Sequence, residues 1–138
     1  MTSPSPHTFL QPEGWAPAKG YANGVMAEGK LIVTGGIVGW NAQQEWEHTD
    51  MLGQFRQTLE NIVAVLAVAG ARPEHIVRLT WYITDKAEYN DNLRSFGQIY
   101  REIIGRHFPA MAVVQVVSLM EDAAKIEIEA TAVIPAGA

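Results

Sequence analysis

No cysteine occurs among the 138 residues. Disulfides, thiolate nucleophiles and cysteine-ligated metal sites are thereby excluded. Lys and Arg together number 10 against 15 Asp and Glu, a formal net charge of −5. The cations are not clustered, and nucleic-acid binding needs a basic patch, so no nucleic-acid partner is expected. No apolar run approaches the roughly 20 residues of a bilayer-spanning helix, so no membrane partner is expected either. The opening stretch, MTSPSPHTFLQPEG, lacks a basic n-region and an apolar h-region. It does not read as a signal peptide, and the expected location is cytoplasmic. The HExxH, P-loop and GxSxG signatures are missing, and GGIVGW lacks the spacing of a dinucleotide fingerprint. His7, His48, His75 and His107 are scattered near predicted loops and are expected to be solvated there rather than to bind metal. Without a metal, a cofactor or a covalent nucleophile, two options remain: acid–base chemistry on a bound water or substrate, or plain binding.

What is present fits one globular domain. Hydrophobic residues make up 48% and charged residues 18% of the chain. Residues 1–14, rich in Pro, Ser and Thr, read as a flexible arm, leaving 15–138 as a single domain. A small chain with so few charges cannot hide all its apolar area inside one subunit, so self-association is expected.

The pattern along the chain alternates between periods of two and 3.6. YANGVMAEGKLIVTGG reads as two short strands joined by a tight hairpin at Glu28-Gly29. Residues 37–48 show no clear period and read as loop. Leu52, Phe55, Leu59, Ile62, Val63 and Leu66 form one helical stripe. Thr49 or Asp50 can cap its start, and Gly70 can end it in a left-handed position before Pro73. IVRLTWYIT alternates, with Val77, Leu79, Trp81 and Ile83 on one side. A second helix is predicted from about Asp91 to Ile104, capped by Asn90 or Asp91 and closed by Gly105. AMAVVQVVSL is nearly all apolar and predicts a strand buried on both faces. AKIEIEATAV predicts a last strand. The order is β-β-α-β-α-β-β, an α+β domain with two helices on one face of a mostly antiparallel sheet. The second sheet face also carries apolar residues, and another subunit is its natural cover.

The last strand carries a puzzle. Ile126, Ile128, Ala130 and Ala132 share one face, while Glu127 and Glu129 sit on the other, roughly 6–7 Å apart given the rise per residue. Either that face is wet, or one carboxylate does acid–base work; mutual repulsion and desolvation would then raise one of the two pKa values. Spacing alone leaves both readings open.

The residues nonetheless combine into a recognisable set. AP at 16–17, GYANGV at 20–25, LIVTGG at 31–36 and QFRQTLENIVAVLAVAG at 54–70 are followed by HIVRLTWYITD at 75–85, FPAM at 108–111 and IEIEATAV at 126–133. In order and spacing, from about Ala16 to Val133, the chain resembles the RidA/YjgF family, also labelled the L-PSP endoribonuclease family. The resemblance implies a chorismate-mutase-like α+β fold and a homotrimer with ligand clefts between subunits. It also implies cofactor-free hydrolysis of reactive enamines and imines to a keto acid and ammonia. Carried over by position, the water-handling glutamate corresponds to Glu127, leaving Glu129 as a supporting or solvated neighbour. Tyr21 matches the tyrosine near the ligand, Gly36 the glycine whose backbone lies against it, and Asn92 loosely the asparagine at the second helix, where a capping role is expected. Backbone groups near Gly36 and Ala112 would hold the ligand. Met111 stands where the deaminases carry an arginine that forks onto the substrate carboxylate. Methionine offers no donor, so altered substrate recognition is expected, with Arg78, Arg94 or His107 as candidate substitute charges. Trp40 can line an apolar cleft or serve at a subunit contact. The resulting expectation is a deaminase-like enzyme with non-standard substrate recognition. The alternatives are a non-catalytic metabolite-binding or regulatory trimer and, on the family label alone, an endoribonuclease.

Overall fold

The computed structural model describes residues 5–137. Strands β1 (Thr8–Leu10) and β2 (Gly24–Met26) pair with each other in a small antiparallel sheet. Thr8–Leu10 therefore form a strand within the segment expected to be an arm. The main sheet contains β3 (Gly29–Val33), β4 (Ile37–Val38), β5 (Ile76–Ile83), β6 (Ala110–Gln115) and β7 (Ile126–Pro135). Its order is β3-β7-β5-β6, with β4 also on β7. Every pairing is antiparallel except the parallel one between β5 and β6. The domain is thus α+β, with helices α1 (Met51–Val68), α2 (Lys86–Asp91) and α3 (Leu93–Ile103). No helix among the described residues is long and apolar enough to cross a membrane.

Helix α1 follows its sequence signals. Asp50 caps it by accepting from the Gly53 N–H, and Gly70, at φ +79°, ends it while Ala71 N–H donates to Leu66 C=O at 3.0 Å. The left-handed Gly70 allows that closure without a Cβ penalty. Phe55, Leu59, Ile62 and Leu66 are sealed from water, with Leu52 and Val63 partly buried beside them. Against this stripe pack Phe96 and Tyr100 of α3 and the inward residues of β5 and β7. The alternation of β7 is as predicted, with Ile126, Ile128, Ala130 and Ala132 all buried.

Other expectations need correction. β2 and β3 do not form a hairpin: β2 pairs with β1, and β3 crosses to β7, turning through Gly29 at φ +147°. Residues 37–48 are not wholly loop, since Ile37–Val38 pair with Ile128 and Glu127. A bulge at Val77 turns Ile76 inward in its place. The second predicted helix is α3, with Asn92 rather than Asn90 or Asp91 at its cap position, and an unexpected short α2, capped by Asp85, precedes it. The apolar β6 is not buried on both faces in this chain; it is an edge strand on which only Ala110 is buried and Val113 and Val114 are exposed. His75 and His107 are not solvated. Each is buried, with His107 Nε2 at 2.7 Å from Ile76 C=O and His75 Nδ1 accepting from Arg72 N–H at 2.9 Å. Burial is the leading cause that lowers both their pKa values below the ordinary histidine value.

Candidate functional site

Glu127 projects from β7 onto the face opposite the helices. Its directly paired neighbours are Val38 of β4 and Tyr82 of β5. One residue pair along, Glu129 lies opposite Thr80. The puzzle of two adjacent carboxylates is resolved by Tyr82, whose hydroxyl donates a short hydrogen bond to Glu129 Oε1. That bond, then desolvation and the charges of Glu129 and Glu127, raise the Tyr82 pKa above the ordinary tyrosine value. Glu129 is therefore engaged, whereas no described residue makes a hydrogen bond or ion pair to the half-buried Glu127 carboxylate. Tyr82 is the site residue that the sequence did not flag. Its place in the outward set of an alternating strand was visible, but its pairing with β7 was not.

Gly36 sits directly against Glu127. A Cβ at position 36 would lie 2.8 Å from Glu127 Cδ, so only glycine leaves the carboxylate its room. The chain is brought there by a pinned loop. Thr34 N–H donates to Ala130 C=O at 2.9 Å, and Ala130 N–H returns a 3.0 Å bond to Thr34 Oγ1. Beyond Gly36, Asn61 of α1 donates to the carbonyls of Val38 and Trp40 at 3.0 and 2.7 Å. Buried Gln54 ties the far side: its amide donates to Ala123 C=O at 2.8 Å and its Oε1 accepts from Lys125 N–H at 2.7 Å, just before β7. Gly36 and Glu127 are thus held from both sides by one helix.

The remaining candidates do not join this cluster within one chain. Ala112 shares the open face but lies on β6 opposite Thr80. Met111 pairs with Leu79 and so points to the helix face. There it lines a cleft of about 390 Å³ with Trp81, Tyr89, Phe96, Tyr100 and Phe108, rimmed by Lys19 and Arg101. An adjoining cavity of about 330 Å³ shares Lys19, Trp81, Tyr89 and Met111 and extends to Tyr21. The structure therefore groups Gly36 with Glu127 and, on the other side of the sheet, Tyr21 with Met111. Asn92 serves the helices: its amide donates to Glu88 C=O at 2.7 Å and makes no side-chain cap to α3. Trp40 packs on Trp46, ring centroids 5.6 Å apart, and lines neither cavity of the Met111 cleft. None of the expected substitute charges reaches Met111. Arg78 stands exposed opposite Thr131, Arg94 is exposed on α3, and His107 is held at Ile76. Lys19 and Arg101 take that position instead. Among the described residues no three His, Asp or Glu side chains converge as a metal cage.

Comparison with known proteins matches this arrangement to one family. The family described as Endoribonuclease L-PSP matches residues 13–134. The 2-iminobutanoate/2-iminopropanoate deaminase of Escherichia coli is 33% identical over 108 residues, covering 76% of this chain and 80% of that protein. Protein DfrA of Myxococcus xanthus is 33% identical over 133 residues, 92% of each. Among solved structures, the Rid-family protein YyfB of Yersinia pestis superposes with a TM-score of 0.82 at 32% identity, covering 93% of this chain and 98% of that one. TdcF of Escherichia coli with bound serine superposes with a TM-score of 0.66 at 28% identity, covering 92% of this chain and 98% of that one. The chain belongs to the endoribonuclease L-PSP family, together with the Rid and YjgF proteins.

Proposed function

We propose that this protein hydrolyses a reactive imine, or the enamine that tautomerises to it, to the corresponding carbonyl compound and ammonia. The carrying observation is the unpartnered Glu127 carboxylate, seated against the backbone of Gly36. Glu127 takes a proton from a bound water as the water oxygen bonds to the imine carbon. Glu127 returns that proton to the nitrogen as the C=N double bond becomes single, which leaves a carbinolamine. It then takes the carbinolamine hydroxyl proton and delivers it to the same nitrogen, the C–N bond breaks, ammonia leaves and the carbonyl forms. Such general acid–base assistance contributes typically 10²–10⁴-fold. No electron acceptor or cofactor enters this balance.

The working form in this reading is a cytoplasmic homotrimer with clefts between subunits. Two features support it. Leu31 and Val33, 67% and 65% exposed, and Val114, 42% exposed, leave an apolar open sheet face that a second subunit would cover. Glu127 and Met111 lie on opposite faces of one sheet, so a cleft using both needs Glu127 from one chain and Met111 from its neighbour. Gly36 and the backbone at Ala112 would hold the ligand, with Tyr21 at the cleft's end.

Recognition departs from that of small 2-imino acids. Met111 donates nothing to a carboxylate, and each charge-assisted bond forgone is worth about 1.5–3 kcal/mol. The same residue favours one second reading, a trimer that holds a metabolite without turning it over. Ammonia release from freshly generated imines separates the two. Loss of turnover in Glu127→Gln, with the assembly's size unchanged by light scattering, is the expected result. A well-folded Glu127→Gln protein as active as wild type would sink the catalytic assignment.

A further inference from the structure

The cleft beneath Met111 is built for something larger than a three-carbon acid. Its volume of about 390 Å³ falls in the roughly 300–1,000 Å³ range of clefts that hold drug-sized ligands. Its walls are broad and flat. The Tyr100 and Phe108 rings stack with centroids 5.4 Å apart, and Trp81 meets Tyr89 edge-on at 6.2 Å. Aromatic walls of this kind favour a flat, apolar guest in offset or edge-to-face contact.

Polarity enters at the rim. Lys19 and Arg101 stand there, and neither forms an ion pair with any described residue. Arg101 lies back along α3 over Gly97, where a Cβ would stand 3.1 Å from Arg101 Nη1. The guanidinium occupies the space a side chain at 97 would have filled, beside the cleft.

We propose that this cleft selects an imine or enamine carrying an aromatic or similarly flat body, which lies on Met111 and Trp81 while its carboxylate rests on Lys19 and Arg101. This rests on the imine-hydrolysis reading above and names the substrate class for it. The acid anchor has moved from the strand floor, where Met111 now lies, to the rim. The floor it vacated is apolar and soft, which suits an unsaturated ring or chain.

The test has a binding arm and a turnover arm. The binding probe is 3-phenylpropanoate, followed by quenching of tryptophan fluorescence in the Glu127→Gln protein, which separates binding from chemistry. It is expected to bind about tenfold or more tighter than propanoate, a margin of the size apolar pockets deliver. The Lys19→Ala/Arg101→Ala double variant is expected to lose that binding, and 3-phenylpropanol, which lacks the charge, to bind poorly to either protein. In the turnover arm, the imine freshly generated from phenylalanine is expected to be hydrolysed with a higher kcat/KM than the imine from alanine. Met111→Arg should narrow or reverse that preference. Equal binding of 3-phenylpropanoate and propanoate, or binding untouched in the double variant, would overturn the proposal whatever Glu127 does. Conversely, a Glu127→Gln protein that still turns over both imines while binding 3-phenylpropanoate selectively would remove the catalytic glutamate and leave the cleft assignment standing.

Discussion

The main sheet has two faces made by the same strands. On one, Leu79, Ile83, Ile126 and Ile128 are sealed beneath α1 and α3. On the other, Leu31, Val33 and Val114 stand exposed beside Glu127, Glu129 and Tyr82. Away from the cleft at Met111, the first face is completed by residues of its own chain, so its sheet side chains there are apolar and closely packed. The second mixes apolar surface with an engaged carboxylate and a free one. Burial without partners would be costly for that carboxylate. The difference teaches that the core and the free carboxylate are kept on opposite sides of a single sheet, with the Met111 cleft at the edge of the covered side.

The sharpest way to break the comparison is on the covered side. Phe55→Ala, at a fully buried ring packed on Trp81 and Phe96, should cost about 3–5 kcal/mol in urea denaturation. A loss below 1 kcal/mol would mean that the helix face is not the principal core. On the open side the expectation is reversed. Gly36→Ala should push the Glu127 carboxylate aside and lower imine turnover by about 10²-fold, as small misplacements at a reacting centre do, with little change in denaturation midpoint. A large stability loss with unchanged specific activity would transfer Gly36 to the structural side. Leu31→Asp combined with Val33→Asp should shift the proposed trimer toward monomer in sedimentation velocity while far-UV circular dichroism is retained.

A pH titration probes the rim of the covered side. His75 and His107 have folded-state pKa values lowered mainly by burial. The unfolded chain therefore binds protons more readily than the folded one. Their contribution to stability is complete above the ordinary histidine pKa of about 6.5 and is lost as pH falls from there through the lowered folded values. The urea midpoint should drop over that interval in wild type and less in His107→Asn. A flat midpoint would mean that neither imidazole is kept neutral by the fold. The smallest effect is expected for Tyr82→Phe. It removes the donor to an exposed Glu129 and should lower turnover far less than Glu127→Gln, with the stability change near measurement error.

Much of this was legible in the chain. The stripe of α1, its Asp50 cap and Gly70 stop, and the inward set of β7 follow from period and local chemistry that tertiary contacts did not override. The same patterns assigned Glu127 to the outward face, although not which of the two glutamates is free, because that depends on Tyr82 arriving from β5. The apolar run of β6 is ambiguous in sequence for a physical reason. A strand buried on both faces by its own chain and an edge strand left open for another molecule are written in the same residues. The start of α3 was legible to within two residues, but the α2 before it was not, because its six residues bury none of their side chains and so write no apolar stripe. Lys19 and Arg101, some 80 residues apart in sequence, converge only through the fold, and no local pattern pairs them.

The placement of Glu127 and Met111 on opposite sides of one sheet has a genetic consequence. No hinge or loop movement within a chain can bring them together, so in the proposed assembly each cleft is the joint property of two neighbours. A chain disabled at Glu127 and another disabled at both Lys19 and Arg101 would each be inactive alone. Refolded or co-expressed together, they should regain turnover, because some interfaces then draw an intact half from each parent. Complementation between two dead alleles, rather than dominance of either, is the behaviour that this sheet imposes.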